Sequence, residues 1–181
     1  MISVQVFTSE ELAAAGLRQA VIDVCLAAHE DDVFRFMFTK YFSSGARHFL
    51  AYDGETLVSH AVVSTRSVQP EGLPILRTAF VDAVSTLPSR ENQGYGSATM
   101  QRLAETIVDY EIGCLQTDDR TSFYAHHGWE EWRGPLAGRS DDGLIPTPDQ
   151  RGVMVLRLPN TPPVDLGAAL TIECQPERIW D

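Results

Sequence analysis

Apolar and polar residues alternate over residues 3–7 (SVQVF), and this period of two predicts a first strand. Thr8-Ser9-Glu10-Glu11 reads as a helix start, with Ser9 or Thr8 as N-cap and carboxylates in the first turn. Leu17, Val21, Val24, Cys25 and Ala28 recur at helical spacing and mark a buried face that ends near His29; Gly16 leaves open whether that helix is interrupted. After a polar break comes VFRFMFTKYF, whose Phe34, Phe36, Met37, Phe38, Tyr41 and Phe42 read as core or pocket wall. Asp31 and Asp32 at its start either cap a helix or present carboxylates to a cation at a cleft mouth.

Residues 47–52 and 56–67, joined by Asp53-Gly54, predict a hairpin. The turn Gln69-Pro70-Glu71-Gly72 leads to a strand over 76–87, making three consecutive antiparallel strands. That strand runs into a polar turn that becomes glycine-rich at Gln93-Gly94-Tyr95-Gly96-Ser97. A helix over 96–110 follows, with Met100, Leu103, Ile107 and Val108 as its apolar members. Strand, glycine turn and helix start make a site for a phosphate group, because the first N–H groups of a helix lack internal partners and sit at its positive end. No Gly-Lys-Ser/Thr is present, so this is not a P-loop, and the glycine spacing is not that of a dinucleotide fingerprint. The glycine pair alone fits a glycine cap or a plain strand-to-helix turn equally well.

Further on, a short strand is predicted over 112–115. A short helix carries Phe123 and Tyr124, is capped by Asp118, Asp119 or Thr121, and ends at Gly128. Residues 134–148 read as a long loop, 152–158 as a strand, 159–163 as a linker and 168–174 as a last strand. Hairpins mixed with helices make an α+β protein with a mixed sheet.

The 181 residues predict one domain with a sizeable core. The N-terminal MISVQVFTSEELAAAG shows no signal peptide, and no apolar run reaches membrane-span length, so no membrane association is expected. Three widely spaced cysteines (Cys25, Cys114, Cys174) suggest reduced thiols in a cytoplasmic protein. A net charge of −11 argues against nucleic acid; it suits a cationic substrate or serves solubility. His126 and His127 are adjacent, which is poor metal spacing, and no metal is expected. His60, on the second hairpin strand, is read as a satisfied sheet histidine.

Three pieces together resemble the GNAT superfamily of N-acetyltransferases: VDAV (81–84), ENQGYGSA (91–98) and FYAHHGW (123–129). Within it, YAHHGWEEWRGP (124–135), TPDQRGVMVLRL (147–158) and the tail ALTIECQPERIWD are similar to the aminoglycoside 2'-N-acetyltransferases. The resemblance implies the GNAT fold: a mostly antiparallel central sheet flanked by helices, with acetyl-CoA in the splay between central strands. It implies one N-acetyltransferase domain over 1–181. Val84 and Thr86 would pair with pantetheine, and Asn92, Gln93, Gly94, Tyr95, Gly96 and Ser97 would hold the pyrophosphate. Asp82 would take the amine proton through water, and Tyr124 would protonate the leaving thiolate. A charge on a central strand is costly unless it faces a cleft or partner, and Tyr124 otherwise reads as a core tyrosine.

The acceptor site implied by the resemblance comprises Asp31, Asp32, Asp82, Asp149, Gln150, Trp180 and Asp181. Four departures from the family pattern stand out, the first in the pyrophosphate turn and the other three in the acceptor site. Glu91 stands where the superfamily has Arg or Gln, with Arg90 one residue earlier. Gln150 replaces an acidic residue. An expected acid in 33–42 gives way to aromatic and basic neighbours, including Lys40. Asp181 follows the final Trp180. A less acidic pocket points to an aminoglycoside with fewer amines, such as kasugamycin. The rivals are the same fold acting on a polyamine or a protein N-terminus, and a catalytically silent acyl-CoA-binding protein. By analogy with the superfamily, a homodimer would form through edge strand 168–174.

Overall fold

The computed structural model describes residues 2–29, 40–175 and 179–180. The chain divides into two compact units, Met1–Ser64 with Val81–Thr106, and Thr65–Phe80 with Ile107–Asp181.

In the first unit, β1 (Val4–Thr8) leads into α1 (Ser9–Ala14). Thr8 is the N-cap: its side chain accepts from the Glu11 N–H, and the Glu11 carboxylate accepts from the Thr8 N–H at 2.8 Å. Gly16, at φ +68°, does interrupt the helix, and α2 (Arg18–Ala28) starts afresh. β2 (Arg47–Asp53) and β3 (Thr56–Pro70) form the expected hairpin, and β1 pairs antiparallel with β2. β4 (Leu76–Thr86) and α3 (Tyr95–Thr106) complete the elements that reach this unit. Helix α3 is shorter than the periodicity predicted. Ile107 is buried beyond its end, whereas Val108 is 47% exposed. The first core gathers Leu12, Val21, Val24, Cys25, Leu50, Val62 and Ala83. Each large aliphatic side chain fully buried there contributes about 1.5–3 kcal/mol.

The second unit holds the rest of β3 and β4 together with β5 (Ile112–Gln116), α4 (Thr121–His126), β6 (Glu130–Glu131), β7 (Leu136–Ser140), β8 (Gly143–Pro146), β9 (Val153–Arg157) and β10 (Leu170–Glu173). Its strand order is β6-β9-β5-β4-β3-β10-β7-β8. Its core is built on Val68, Leu76, Phe80, Ile112, Val155, Ile172 and Trp180.

Three expectations change here. The loop predicted over 134–148 contains the β7–β8 hairpin, turned at Asp141-Asp142. Helix α4 is not capped by Asp118, Asp119 or Thr121; the Thr117 hydroxyl accepts the Arg120 N–H instead. And β10 is no edge strand: it pairs antiparallel with β3 and parallel with β7, so both its edges are taken and it offers no dimer seam. Cys25 and Cys114 are fully buried thiols. Among the described residues no helix is long and apolar enough to cross a membrane.

Candidate active site

The site is built on one continuous stretch of the first unit, from the end of β4 to the head of α3. Val81, Ala83 and Ser85 are buried, while Asp82, Val84 and Thr86 alternate with them as half-buried residues. The alternation holds although Ala83 sits at φ +49°, a left-handed conformation costly for a residue with a Cβ. The backbone leaves extended geometry at that one position, one residue after Asp82 and one before Val84.

This left-handed residue is held from the buried side. The carbonyl of Ala83 accepts from His60 Nδ1 at 3.1 Å and from the Ser85 hydroxyl at 3.1 Å. Beyond it, Ser59 Oγ donates to the Ser85 carbonyl at 2.9 Å and lies 3.0 Å from Thr86 Oγ1. The Thr99 hydroxyl on α3 reaches the same Ser59 Oγ at 3.3 Å, tying the helix to β3. These groups are hydrogen-bonded as buried polar atoms must be.

After Thr86 the chain makes a single tight turn (Pro88–Arg90) and then two left-handed residues, Asn92 at φ +59° and Gly94 at φ +89°. The first bond of α3 runs from the Ala98 N–H to the Gly94 carbonyl at 2.9 Å. The N–H groups of residues 94–97 therefore precede the helical ladder and gather at the positive end of a twelve-residue helix. This arrangement fits a pyrophosphate through backbone donors. Side chains add little positive charge. Arg90 is paired with Asp53 at 2.9 Å, Glu91 is exposed, and Gln93 folds back onto the Ser89 carbonyl at 3.0 Å. An open cleft of about 770 Å³ beside Tyr95 is lined by Ile2, Tyr52, Asp53 and Glu55; its carboxylates do not suit a phosphate.

Sequence reasoning read His60 as a satisfied sheet residue and missed its neighbour. His48 Nδ1 lies 3.0 Å from His60 Nε2, and His48 Nε2 lies 3.0 Å from Ser9 Oγ. Both rings are fully buried. Burial pushes His60 down to about 3 and His48 down to about 4, with His48 and Arg18 as the respective second causes, so both are neutral near pH 7. Cys25 Sγ lies 3.6 Å from His60 Nδ1, and burial pushes that thiol up to about 12, far from nucleophilic use.

The remaining expected residues lie in the second unit or outside the described residues. Tyr124 is buried in α4, its ring edge-on to Phe123 at 5.2 Å and to Trp129 at 6.3 Å. Asp149 is exposed, and Gln150 is half-buried with its amide on the Arg151 carbonyl. Trp180, expected in the acceptor site, has no exposed surface: its ring belongs to the second core, and its N–H donates to Thr147 Oγ1 at 3.0 Å. It anchors the end of the chain. Asp31, Asp32 and Asp181, and most of the aromatic segment, fall outside the described residues.

No family model matches the chain. Among solved structures, it is similar to a probable N-acyltransferase from Enterococcus faecalis, with a TM-score of 0.58 and 18% identity over 72% of this chain and 32% of that one. It is also similar to ElaA of Escherichia coli, with a TM-score of 0.53 and 16% identity over 87% and 100% of the two chains. A GNAT family acetyltransferase from Staphylococcus aureus aligns with a TM-score of 0.55 and 12% identity over 86% and 99%. The chain spans about a third of the length of the Enterococcus protein. The fold is that of the GNAT acetyltransferases, an α+β arrangement on a mixed sheet.

Proposed function

We propose that the protein is an acetyl-CoA-dependent N-acetyltransferase whose acceptor is the 2'-amino group of an aminoglycoside, of the kasugamycin kind rather than the gentamicin kind. The observation that carries the acetyl-transfer reading is the left-handed Ala83, set between Asp82 and Val84 on the strand that leads directly to the left-handed turn and the head of α3. The acceptor assignment is supported by the resemblance of residues 124–135 and 147–158, and its narrowing by Gln150, Lys40 and the residue after Trp180.

Acetyl-CoA, when bound, supplies the acyl group as an activated thioester. Residues 94–97 would bind its pyrophosphate through N–H groups, and the backbone at Val84 and Thr86 would align its pantetheine arm. Asp82 takes a proton from the substrate ammonium through a water, since aspartate is one methylene shorter than the glutamate usual in the superfamily. The free amine then forms the C–N bond as the C–S bond breaks. Tyr124 would give its phenolic proton to the departing thiolate, and the surplus proton on the new amide nitrogen would pass to the phenolate and restore it, so that the one proton released in the reaction is the one taken by Asp82. No covalent enzyme intermediate is required, in keeping with the inert Cys25 thiol.

The test is thiol release from acetyl-CoA with gentamicin and with kasugamycin. Turnover with kasugamycin alone is the expected result. Turnover with gentamicin overturns the altered-pocket reading. Tight acetyl-CoA binding with neither amine accepted discards the aminoglycoside and directs the search to polyamines and protein N-termini.

A further inference from the structure

The buried chain Ser9–His48–His60–Ala83 has one allowed direction. A carbonyl only accepts, so the His60 nitrogen facing Ala83 O at 3.1 Å, Nδ1, carries the proton. In the neutral ring, Nε2 of His60 is then an acceptor, and the proton between the two rings belongs to His48 Nδ1. That leaves Nε2 of His48 as an acceptor for the Ser9 hydroxyl. Every link is between 3.0 and 3.1 Å, and Ser9, His48 and His60 are each buried. Such a chain does not relay protons, because it ends on a carbonyl that has none to exchange.

What it does is fix a plane. The Ala83–Val84 peptide is trans, as all described peptide bonds are, so its C=O and N–H point in opposite directions. Holding the carbonyl toward the buried His60 aims the Val84 N–H the other way. Two donors on one carbonyl, His60 and Ser85, offset the cost of the left-handed Ala83.

We infer that His60, and His48 through it, are positioning residues that orient the Val84 N–H as a preorganised donor for the acetyl carbonyl. The inference rests on the acetyl-transfer reading above. A donor fixed before the reaction needs no reorganisation as charge develops on the oxygen. The chain also explains why two histidines are buried beside a largely apolar core: an apolar residue at 60 would leave the Ala83 carbonyl with one partner fewer.

The experiment compares His60→Leu, His60→Asn and His48→Leu with the wild type, each confirmed folded by circular dichroism. Asparagine places an amide N–H near the position of Nδ1 and serves as the rescue. The expected result is that His60→Leu lowers kcat about 10- to 100-fold, the loss typical of one oxyanion donor or somewhat less. KM for acetyl-CoA stays within about twofold, because the head of α3 is untouched. His60→Asn recovers most of kcat, and His48→Leu falls between the two. A folded His60→Leu with unchanged kcat overturns the inference. So does a His60→Asn variant no better than His60→Leu.

A second readout needs no turnover. Nitrogen-15 shifts of the rings are expected to place the proton on Nδ1 of both histidines, and His60→Leu is expected to displace the Val84 amide resonance strongly. A Val84 amide that does not move overturns the inference whatever the activity. A Val84 amide that moves in a protein releasing no thiol with any amine overturns the acetyl-transfer reading instead.

Discussion

A carboxylate one residue before a left-handed alanine is either chemical or structural, and substitution of Asp82 separates the two. Asp82→Asn keeps the shape and removes the basicity. If Asp82 is the base, kcat falls about 10²- to 10⁴-fold with little change in KM for acetyl-CoA; a fall of less than about threefold in steady-state assays assigns the proton to another group. At this scale the sequence placed Asp82, Gly94 and the neighbouring turn on one strand-to-helix stretch, because a contiguous motif needs no knowledge of pairing. The histidine chain was different. His48 stands opposite Val62, and His60 opposite Leu50, so the two rings are diagonal neighbours on one face of the hairpin. The Asp53-Gly54 turn alone does not give that register, because the pairing shifts by one residue between Ala51 and Tyr52, and that shift is what sets the two histidines diagonally. The conformation of Ala83 had no signal at all, since nothing in VDAV distinguishes a strand with a left-handed residue from a regular one.

Among the elements, α1 illustrates how much local chemistry decides. It has six residues, too few to persist alone, and its start depends on the reciprocal Thr8–Glu11 bonds. Thr8→Ala is expected to cost about 1 kcal/mol, seen as a lower urea midpoint at unchanged slope. This cap was readable because its partners lie three residues apart. The β7–β8 hairpin was not. All four residues of β8 are exposed, so no buried face imposes a period of two on GLIP, and its glycine and proline point toward a loop. The same holds for the end of α3. Ile107 continues the apolar spacing after the helix has stopped, because a core position attracts an apolar residue whatever the backbone does.

For the molecule as a whole, the histidine pair sets an acid limit on stability. In the folded state His48 titrates at about 4 and His60 at about 3, below the ordinary value near 6.5 that both regain on unfolding. Between those values the unfolded chain binds more protons. The neutral pair therefore contributes fully above about pH 6.5, and its contribution is lost as pH falls toward 4, on the order of 3 kcal/mol for each ring. Urea titrations from pH 8 to pH 4 should show a midpoint that is flat at the upper end and declines below about 6.5, and His60→Asn should flatten that decline. A wild-type midpoint constant down to pH 4.5 would mean that the rings are not held neutral.

The position of β10 bears on how the chain reaches its fold. Ile172 pairs with Val68 across more than a hundred residues, and on its other side with Gly138. The first unit pairs β1, β2 and β3 through neighbours in sequence, whereas the second cannot close its sheet until residues 170–173 have been synthesised and inserted between strands made earlier. Loop closure over that separation is slow. During synthesis the facing edges of β3 and β7 remain open, and a chaperone or a second nascent chain has its best opportunity to bind there.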